Sequence, residues 1–443
     1  MRNILLTRFD TFGDIVLLEG FVELLASLPS VERITLLVRE GYNDLAPLFP
    51  SNVHWLTTEL QPYTAFQPSD QAKLDNLLDL LGKHEFDTLI VSTYNRTWID
   101  DLVAARLVNA KRVVLAGEFK RPAWADDLHA QLGLSTFNLY DSEVRASESS
   151  SEITKYQILA DFLFKGVGTL PSPQLSIPSG ALEQVAQVLE AKGMKVGGYF
   201  TCVVTCTPFL PQKSWPPERF AEIMEWIQSE YRLSPLLLGH VSESKQIEEV
   251  VSIAKASGLV PGIWLGQKGE LALLAALIQK SKFYFGSDTG PMHIAAALGV
   301  PTVGIFGGGH WPRFLPVGVS SIGIAAELPC FGCNWGDCVF DDAPCVKLVT
   351  IDDVKAAIKL ILSQKTIVSN YFPVMSDYRT RFKNLRDNCS EVNSKDFKRL
   401  ESDNAGLVDK LFKVQSSLSW RITKPLRWLG DKLSELGYGK WGR

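Results

Sequence analysis

Around Ile4-Leu5-Leu6 the chain is apolar without a break, and the pattern from Asn3 to Thr7 predicts a strand buried on both faces. After the polar turn Arg8 to Gly13, Ile15, Leu18, Val22 and Leu25 recur at helical spacing up to Pro29, and a second apolar run, Arg33 to Val38, follows directly. Strand runs at Thr88 to Val91 and Arg112 to Leu115 repeat this β-α-β opening, so residues 1 to about 140 read as one Rossmann-like domain with a parallel sheet. From Asp141 to Gly180 the chain turns Ser- and Pro-rich, with one predicted helix from about Ile153 to Phe164, which places the domain junction there. Further strand runs at Phe200 to Val204, Pro235 to Leu238, Ile263 to Leu265, Phe283 to Phe285 and Thr302 to Phe306 alternate with helical segments and form a second Rossmann-like domain. Ile351 to Ser363 closes it as a helix, with Thr350 or Asp352 at its start. The expected fold class is therefore α/β: an N-terminal domain over 1–175 and a second over 176–363, facing each other across a cleft. A helical extension without strand pattern is expected over 364–443.

Composition narrows the function. With 443 residues and a formal charge of −4, the chain can bury two ordinary cores and has no overall basic excess for nucleic acid. The first ten residues meet charge too early for a secretory signal, and no run approaches the ~18 apolar residues of a membrane span, so a cytoplasmic location is expected. In that compartment the seven cysteines are thiols or metal ligands rather than structural disulfides.

The most informative stretch is Phe285-Gly286-Ser287-Asp288-Thr289-Gly290-Pro291-Met292-His293, a strand end, a polar turn and a helix entered through Pro, with Gly299 past the helix end. Free N–H groups and the positive end of a helix dipole then converge on one spot, which Thr289 and Gly290 leave open: a diphosphate seat. The bland alternative is a well-capped helix with a satisfied buried His293. In the first domain the turn Phe9-Asp10-Thr11-Phe12-Gly13-Asp14 also sits at a strand's carboxyl end. It lacks the G-x-G-x-x-G fingerprint, which removes support for hydride transfer. Asp14 lies in the first helical turn, where a carboxylate can take a proton from an attacking hydroxyl, although such an Asp more often serves the helix dipole alone.

Four segments together resemble glycosyltransferase family 9: Ile4 to Arg8 with Gly13 to Leu17, Lys213-Ser214-Trp215-Pro216 followed by Glu218-Arg219-Phe220, Asp288 to His293 with the Ala-rich helix and Pro301 to Gly307, and the cysteine segment Cys330 to Cys345. The similarity covers residues 1 to about 363 and implies the GT-B fold and inverting transfer of a sugar from a nucleotide-diphosphate donor. ADP-heptose is the family's usual donor, and a lipopolysaccharide or other glycan or glycolipid its acceptor. It further implies Asp14 as base and Lys213 as the cation on the donor's phosphates. Gly13, Thr205, Asp288, Thr289, Gly290, Met292 and His293 match donor-site positions, and Glu243 falls where the family has a glutamate on donor ribose or sugar. The segment Thr205 to Gln212 is longer and more apolar than the hydroxyl-rich loop of heptosyltransferases, a departure that bears on the donor's identity. By analogy with other GT-B enzymes no cofactor or metal is required.

Cys330, Cys333, Cys338 and Cys345 form C-x2-C-x4-C-x6-C, a spacing that suits zinc, while recurrence in a family without a metal requirement points to a local structural role. From Trp420 to Arg443 six basic residues stand against two acidic ones, and Leu426, Leu429, Leu433 and Leu436 share a helical face. Such a segment, 417–443, suits either peripheral contact with an anionic inner membrane or docking on protein. Two rival readings of the whole are a GT-B nucleotide-sugar 2-epimerase, needing no acceptor, and a non-catalytic assembly scaffold.

Overall fold

A computed structural model describes residues 2–117, 130, 139–205, 213–318, 320–328, 330–333, 338, 343–363 and 371–374. The first sheet is built from β1 (Asn3–Thr7), β2 (Arg33–Arg39), β3 (Val53–Thr58), β4 (Thr88–Val91), β5 (Lys111–Ala116) and β6 (Ser142–Arg145), in the order β3-β2-β1-β4-β5-β6. Every pairing in it is parallel. Helices α1 (Phe12–Ser27), α2 (Gln71–Gly82), α3 (Trp98–Arg106) and α4 (Glu152–Leu163) accompany it. The second sheet takes β7 (Tyr199–Val203), β8 (Ser234–His240), β9 (Gly262–Gly266), β10 (Tyr284–Ser287), β11 (Thr302–Ile305), β12 (Ser321–Ala325) and β13 (Tyr371–Pro373), in the order β13-β12-β11-β10-β7-β8-β9, again all parallel. With it go α5 (Ser179–Glu190), α6 (Pro217–Tyr231), α7 (Ser244–Ala256), α8 (Leu271–Gln279), α9 (Gly290–Ala297), the short α10 (Pro344–Lys347) and α11 (Ile351–Leu362). Thr350 caps α11 by accepting from the backbone of Asp353 at 3.2 Å.

The structure adds four strands that the pattern did not separate. β13 pairs with β12 through Tyr371 to Pro373, inside the stretch expected to be strand-free, so the second sheet extends past residue 363. The rest of 364–443, including the expected helical tail and its membrane-contact segment 417–443, lies outside the described residues.

Both sheets reverse their strand order once, between β1 and β4 in the first and between β7 and β10 in the second. At such a switch point the loops leaving the carboxyl ends diverge to opposite faces and open a crevice. The Arg8 to Asp14 turn leaves β1 and the Asp288 to Gly290 turn leaves β10, so each candidate segment occupies its own domain's crevice.

The domains also share apolar packing, since one buried cluster includes Ile15, Leu18 and Phe21 of α1, Tyr156 of α4, Leu277 of α8 and Ile294 of α9. Close approach requires small residues here. A Cβ on Gly20 would lie 2.1 Å from the Pro171 carbonyl oxygen, so α1 and the connecting segment fit together only with glycine at that position.

Candidate active site

On the first domain's side the site begins with an arginine that has no exposure at all. Arg8 is 0% exposed at the end of β1. Its Nη1 donates to the Ser92 carbonyl beyond β4 (2.6 Å) and its Nε to Asp10 Oδ1 (2.5 Å), while Nη2 donates both to Asp14 Oδ1 (3.0 Å) and to Glu152 Oε2 (2.9 Å). Asp14 closes the first turn of α1, its Oδ2 accepting from the Thr11 backbone N–H (3.0 Å) and Thr11 Oγ1 (2.6 Å). The dipole role and a place in the crevice therefore coincide at Asp14.

Glu152, at the start of α4, is the hub of the network. Besides Arg8 it receives Arg313 Nε (2.5 Å), from the second domain, Lys155 Nζ (3.1 Å) and Tyr156 OH (3.2 Å). The Glu152 backbone N–H donates in turn to the Arg313 carbonyl (3.1 Å), so the two residues are clipped together twice. Arg313 also lies over the rings of Tyr94 and Phe314, at 5.0 and 4.7 Å from their centroids.

Buried charge shifts these groups in opposite directions. Burial opposes the ionisation of Glu152, but Arg313, Arg8 and Lys155 outweigh it and hold its carboxyl well below the usual range. Burial pushes Asp10 up to about 7 against the pull of Arg8, with Asp14 and Glu152 adding repulsion. Burial also opposes the charge on Arg8, yet Asp10, Glu152 and Asp14 keep it firmly cationic. Elsewhere burial raises Glu19 to about 7 and Asp100 to about 6.

These shifts set a pH profile for stability. The raised carboxyls bind protons more tightly folded than unfolded, so they stabilise the fold as pH falls from about 7 toward the ordinary range. Glu152 acts oppositely: its contribution is complete above about 4.5, its unfolded value, and is lost as pH falls below that. Melting temperature is expected to rise as pH falls from ~8 toward ~6.5, to level off below that as the lowered His293 and His310 work against the raised carboxyls, and to fall steeply below ~4.5. A scan by differential scanning fluorimetry checks this, and a monotonic decline from pH ~8 downward would contradict it.

On the second domain's side, Asp288 follows β10 with its N–H on the Ile305 carbonyl (3.1 Å), and Thr289 stands at the start of α9. Thr289 makes no capping side-chain hydrogen bond, so the first N–H groups of α9 receive no cap from it. Lys213 Nζ reaches Asp288 Oδ2 at 3.0 Å and the Asp288 carbonyl at 3.4 Å. It is delivered by an anchor: Trp215, 1% exposed, donates Nε1 to the Val349 carbonyl (2.9 Å), and Arg219 Nη1 donates to the carbonyls of Lys347 (2.5 Å) and Val349 (2.8 Å).

The two switch points meet. A Cβ on Gly13 would stand 3.0 Å from both Gly290 Cα and His293 Cδ2, and one on Gly290 would strike the Phe12 ring at 2.1 Å. The N-termini of α1 and α9 are thus apposed, and Gly13 and Gly290 are the residues that let them be. The space that Gly290 was expected to leave open is taken up by Phe12. His293 is 5% exposed, and its buried Nδ1 has no hydrogen-bond partner among the described residues. Burial lowers the pKa of His293, and burial with Lys213 and Arg313 takes His310 down to about 4, so both rings are neutral near pH 7.

The remaining expected donor-site residues divide. Thr205, 2% exposed, lies two residues past the end of β7, beside β10. Glu243 stands at the end of β8 and accepts the His240 backbone N–H at 2.7 Å. Met292 is fully buried, and a Cβ on Gly304 would meet its Sδ at 2.3 Å, so its side chain packs toward β11. Residues 206–212 lie outside the described residues. Cys330, Cys338 and Cys345 are free thiols, with Cys333 beside Cys330 and Cys345. Burial, with the neighbouring cysteines, pushes Cys330 and Cys345 up to about 12, and Cys345 Sγ accepts the Gly308 N–H at 3.4 Å. Among the described residues no group of three or more His, Cys, Asp or Glu side chains is arranged to hold a metal, and no helix is long and apolar enough to cross a membrane.

The sequence reading did not assign roles to Arg8, Asp10, Glu152 or Arg313. Charge at the tail of the apolar Ile4 to Thr7 run was a signal for the first two. Glu152 and Arg313, paired across 161 residues, had none in their local sequence.

Comparison with known proteins bears on the family and the fold. The family model described as glycosyltransferase family 9 (heptosyltransferase) matches residues 136–343. No curated protein matches the sequence. Among solved structures, a glycosyl transferase family 9 protein from Veillonella parvula DSM 2008 is similar with a TM-score of 0.63 at 16% identity, over 82% of this chain and 98% of that one. The E. coli ADP-heptose lps heptosyltransferase II gives 0.58 at 16% identity, over 82% and 99% of the two chains. E. coli heptosyltransferase WaaC with ADP gives 0.55 at 16%, over 82% and 100%. At such identities the likeness is one of fold, the two-domain GT-B arrangement.

Proposed function

We propose, from the premise that this chain is a glycosyltransferase family 9-like enzyme, that it moves a sugar from a nucleotide-diphosphate donor to a hydroxyl of a glycan or glycolipid acceptor, with inversion at the anomeric carbon. The observation that carries the reading is the apposition of Gly13 with Gly290 and His293, which sets a carboxylate-bearing turn of one domain against a helix N-terminus of the other. A single in-line displacement needs those two things on opposite sides of the reacting carbon.

The acceptor hydroxyl approaches the first domain, where Asp14 occupies the family's base position. As the new C–O bond forms, the bond from the anomeric carbon to phosphate breaks, and negative charge develops on the leaving diphosphate. Lys213 and the N-terminus of α9 oppose that charge, Lys213 being shared between Asp288 and the phosphates. Neutral His293 and His310 add no competing proton donor near pH 7. Glu243, just past β8, is assigned by the family pattern to the donor's ribose or sugar.

A thermal-shift panel of ADP-, GDP-, UDP- and dTDP-sugars tests this, since a ligand that binds only the folded state raises its melting temperature. ADP-sugars come first because the solved WaaC structure is described with ADP. One nucleotide class is expected to stabilise the protein, and Lys213→Ala to remove most of that shift. No stabilisation by any class sinks the reading. Epimerised sugar from donor alone, without acceptor, replaces it with the epimerase alternative.

A further inference from the structure

Asp10 has no part in the mechanism above, yet it shares the guanidinium that holds Asp14. Arg8 Nε binds Asp10 Oδ1 at 2.5 Å and Arg8 Nη2 binds Asp14 Oδ1 at 3.0 Å, so one rigid fork holds both carboxylates at the mouth of β1. Their occupancy differs. Asp14 accepts from three donors over its two oxygens, Arg8 and the two groups of Thr11, whereas for the Asp10 carboxylate the Arg8 contact is the one found among the described residues. A carboxylate surrounded by donors is a good place for negative charge and a poor resting place for a proton. The Asp10 side chain is only 12% exposed, and its single ion pair leaves Oδ2 able to carry a hydrogen.

We infer that Asp10 and Asp14 act as one pair on Arg8 in the proposed transfer, with Asp10 the carboxylate on which the acceptor's proton comes to rest. The step balances: the acceptor O–H bond breaks, its oxygen bonds the anomeric carbon, the diphosphate leaves with the electron pair of the broken C–O bond, and the proton passes to the carboxylate pair. The inference rests on the transferase reading for the acceptor and stands on its own for the pair.

Several charges fix how the pair titrates. Arg8 at the end of β1 and Arg313 from the second domain favour ionised Asp10, while Asp14 on α1 and Glu152 on α4 oppose it. Arg39, at the end of β2, donates Nη2 to the Asp10 carbonyl (2.7 Å) and to Tyr42 OH. Tyr42, Tyr63 and Tyr156 are the phenols that sense Asp10; burial raises Tyr42 and Tyr156, Tyr63 is half exposed, and all three stay neutral near pH 7.

The test uses the full chain labelled with 13C at aspartate carboxyls, followed by NMR over pH. One aspartate is expected to titrate near 7, to vanish in Asp10→Asn, and to move toward the ordinary range in Asp14→Asn, where the neighbouring negative charge is gone. In transfer assays with the nucleotide sugar that stabilises the wild type, Asp10→Asn is expected to lower kcat about 10–100-fold with donor KM within about threefold, and to lose the acid limb of the profile near 7. Asp10→Glu, which keeps a carboxylate, is expected to restore part of the rate and the limb, separating proton handling from support of the fold. An Asp10→Asn profile that overlays the wild type, or no aspartate titrating near 7, overturns the inference. A wild type that transfers no sugar defeats the transferase reading instead, and the NMR titration still decides whether the pair exists.

Discussion

Asp14→Ala is expected to reduce sugar transfer by about 10²–10⁴-fold while donor affinity stays within a few-fold of wild type. The donor's diphosphate is met by Lys213 and the N-terminus of α9, groups of the other domain, so removing the carboxylate leaves those contacts in place. What is lost is an interaction that strengthens only as the hydroxyl gives up its proton, and such a loss appears in kcat rather than in binding. Asp14 also closes the first turn of α1 through Thr11, and deleting a cap costs about 1 kcal/mol, so the alanine variant must be checked for melting temperature before its rate is read. Asp14→Asn separates the effects: an amide keeps one oxygen for Thr11 but cannot accept a proton. Both variants should fail at catalysis; the asparagine keeps an oxygen for Thr11 but still takes a charge away from buried Arg8, so melting temperature is measured for both and the alanine should lose more. Equal loss of donor binding and rate would remove Asp14 from the role of base and make it an organiser of the cleft.

How far the sequence carried the reading depended on range. The Asp288 to Gly290 turn, Lys213 with Trp215 behind it, and the Gly13-Asp14 turn were legible because each is a few adjacent residues at a strand end, where apolar periodicity changes to polar. The strands built on those periodicities form the centre of both sheets. The strands β3, β6, β12 and β13, three of them at sheet edges, were not separated out: Val53–Thr58 and Ser142–Arg145 mix exposed or half-buried positions with buried ones, and Ser321–Ala325 is short and small-residue-rich. Met292 sits inside the motif, and periodicity along α9 turns its side chain to the core. The ion network joining Arg8, Glu152 and Arg313 could not be read at all, since Arg8 and Glu152, 144 residues apart, meet only when the first domain folds, and Glu152 and Arg313, 161 apart, only when the two domains meet.

That network underlies the largest expected change in stability. Glu152→Gln should destabilise the protein by about 3–5 kcal/mol, seen as a fall in the denaturant midpoint at pH 7. Glu152 and Lys155 have side chains with no exposure and Arg313 is 6% exposed, so water cannot replace the lost carboxylate. Arg8 would still have Asp10 and Asp14, but Arg313 and Lys155 would be left as buried cations facing a neutral amide. Deleting one partner of a buried group costs more than deleting the group, because the surviving charge keeps its desolvation penalty without its compensation. It follows that Arg313→Met should offset part of the damage when added to Glu152→Gln, with a coupling energy above about 1 kcal/mol. Additive losses would mean that the two residues stabilise the fold independently, and a loss below about 1 kcal/mol for Glu152→Gln would mean that the cluster is solvated in solution. Because Arg313 belongs to the second domain and Glu152 to the helix that packs on α1, the same double cycle measures how strongly the domains are held in the apposition that brings Asp14 to face α9.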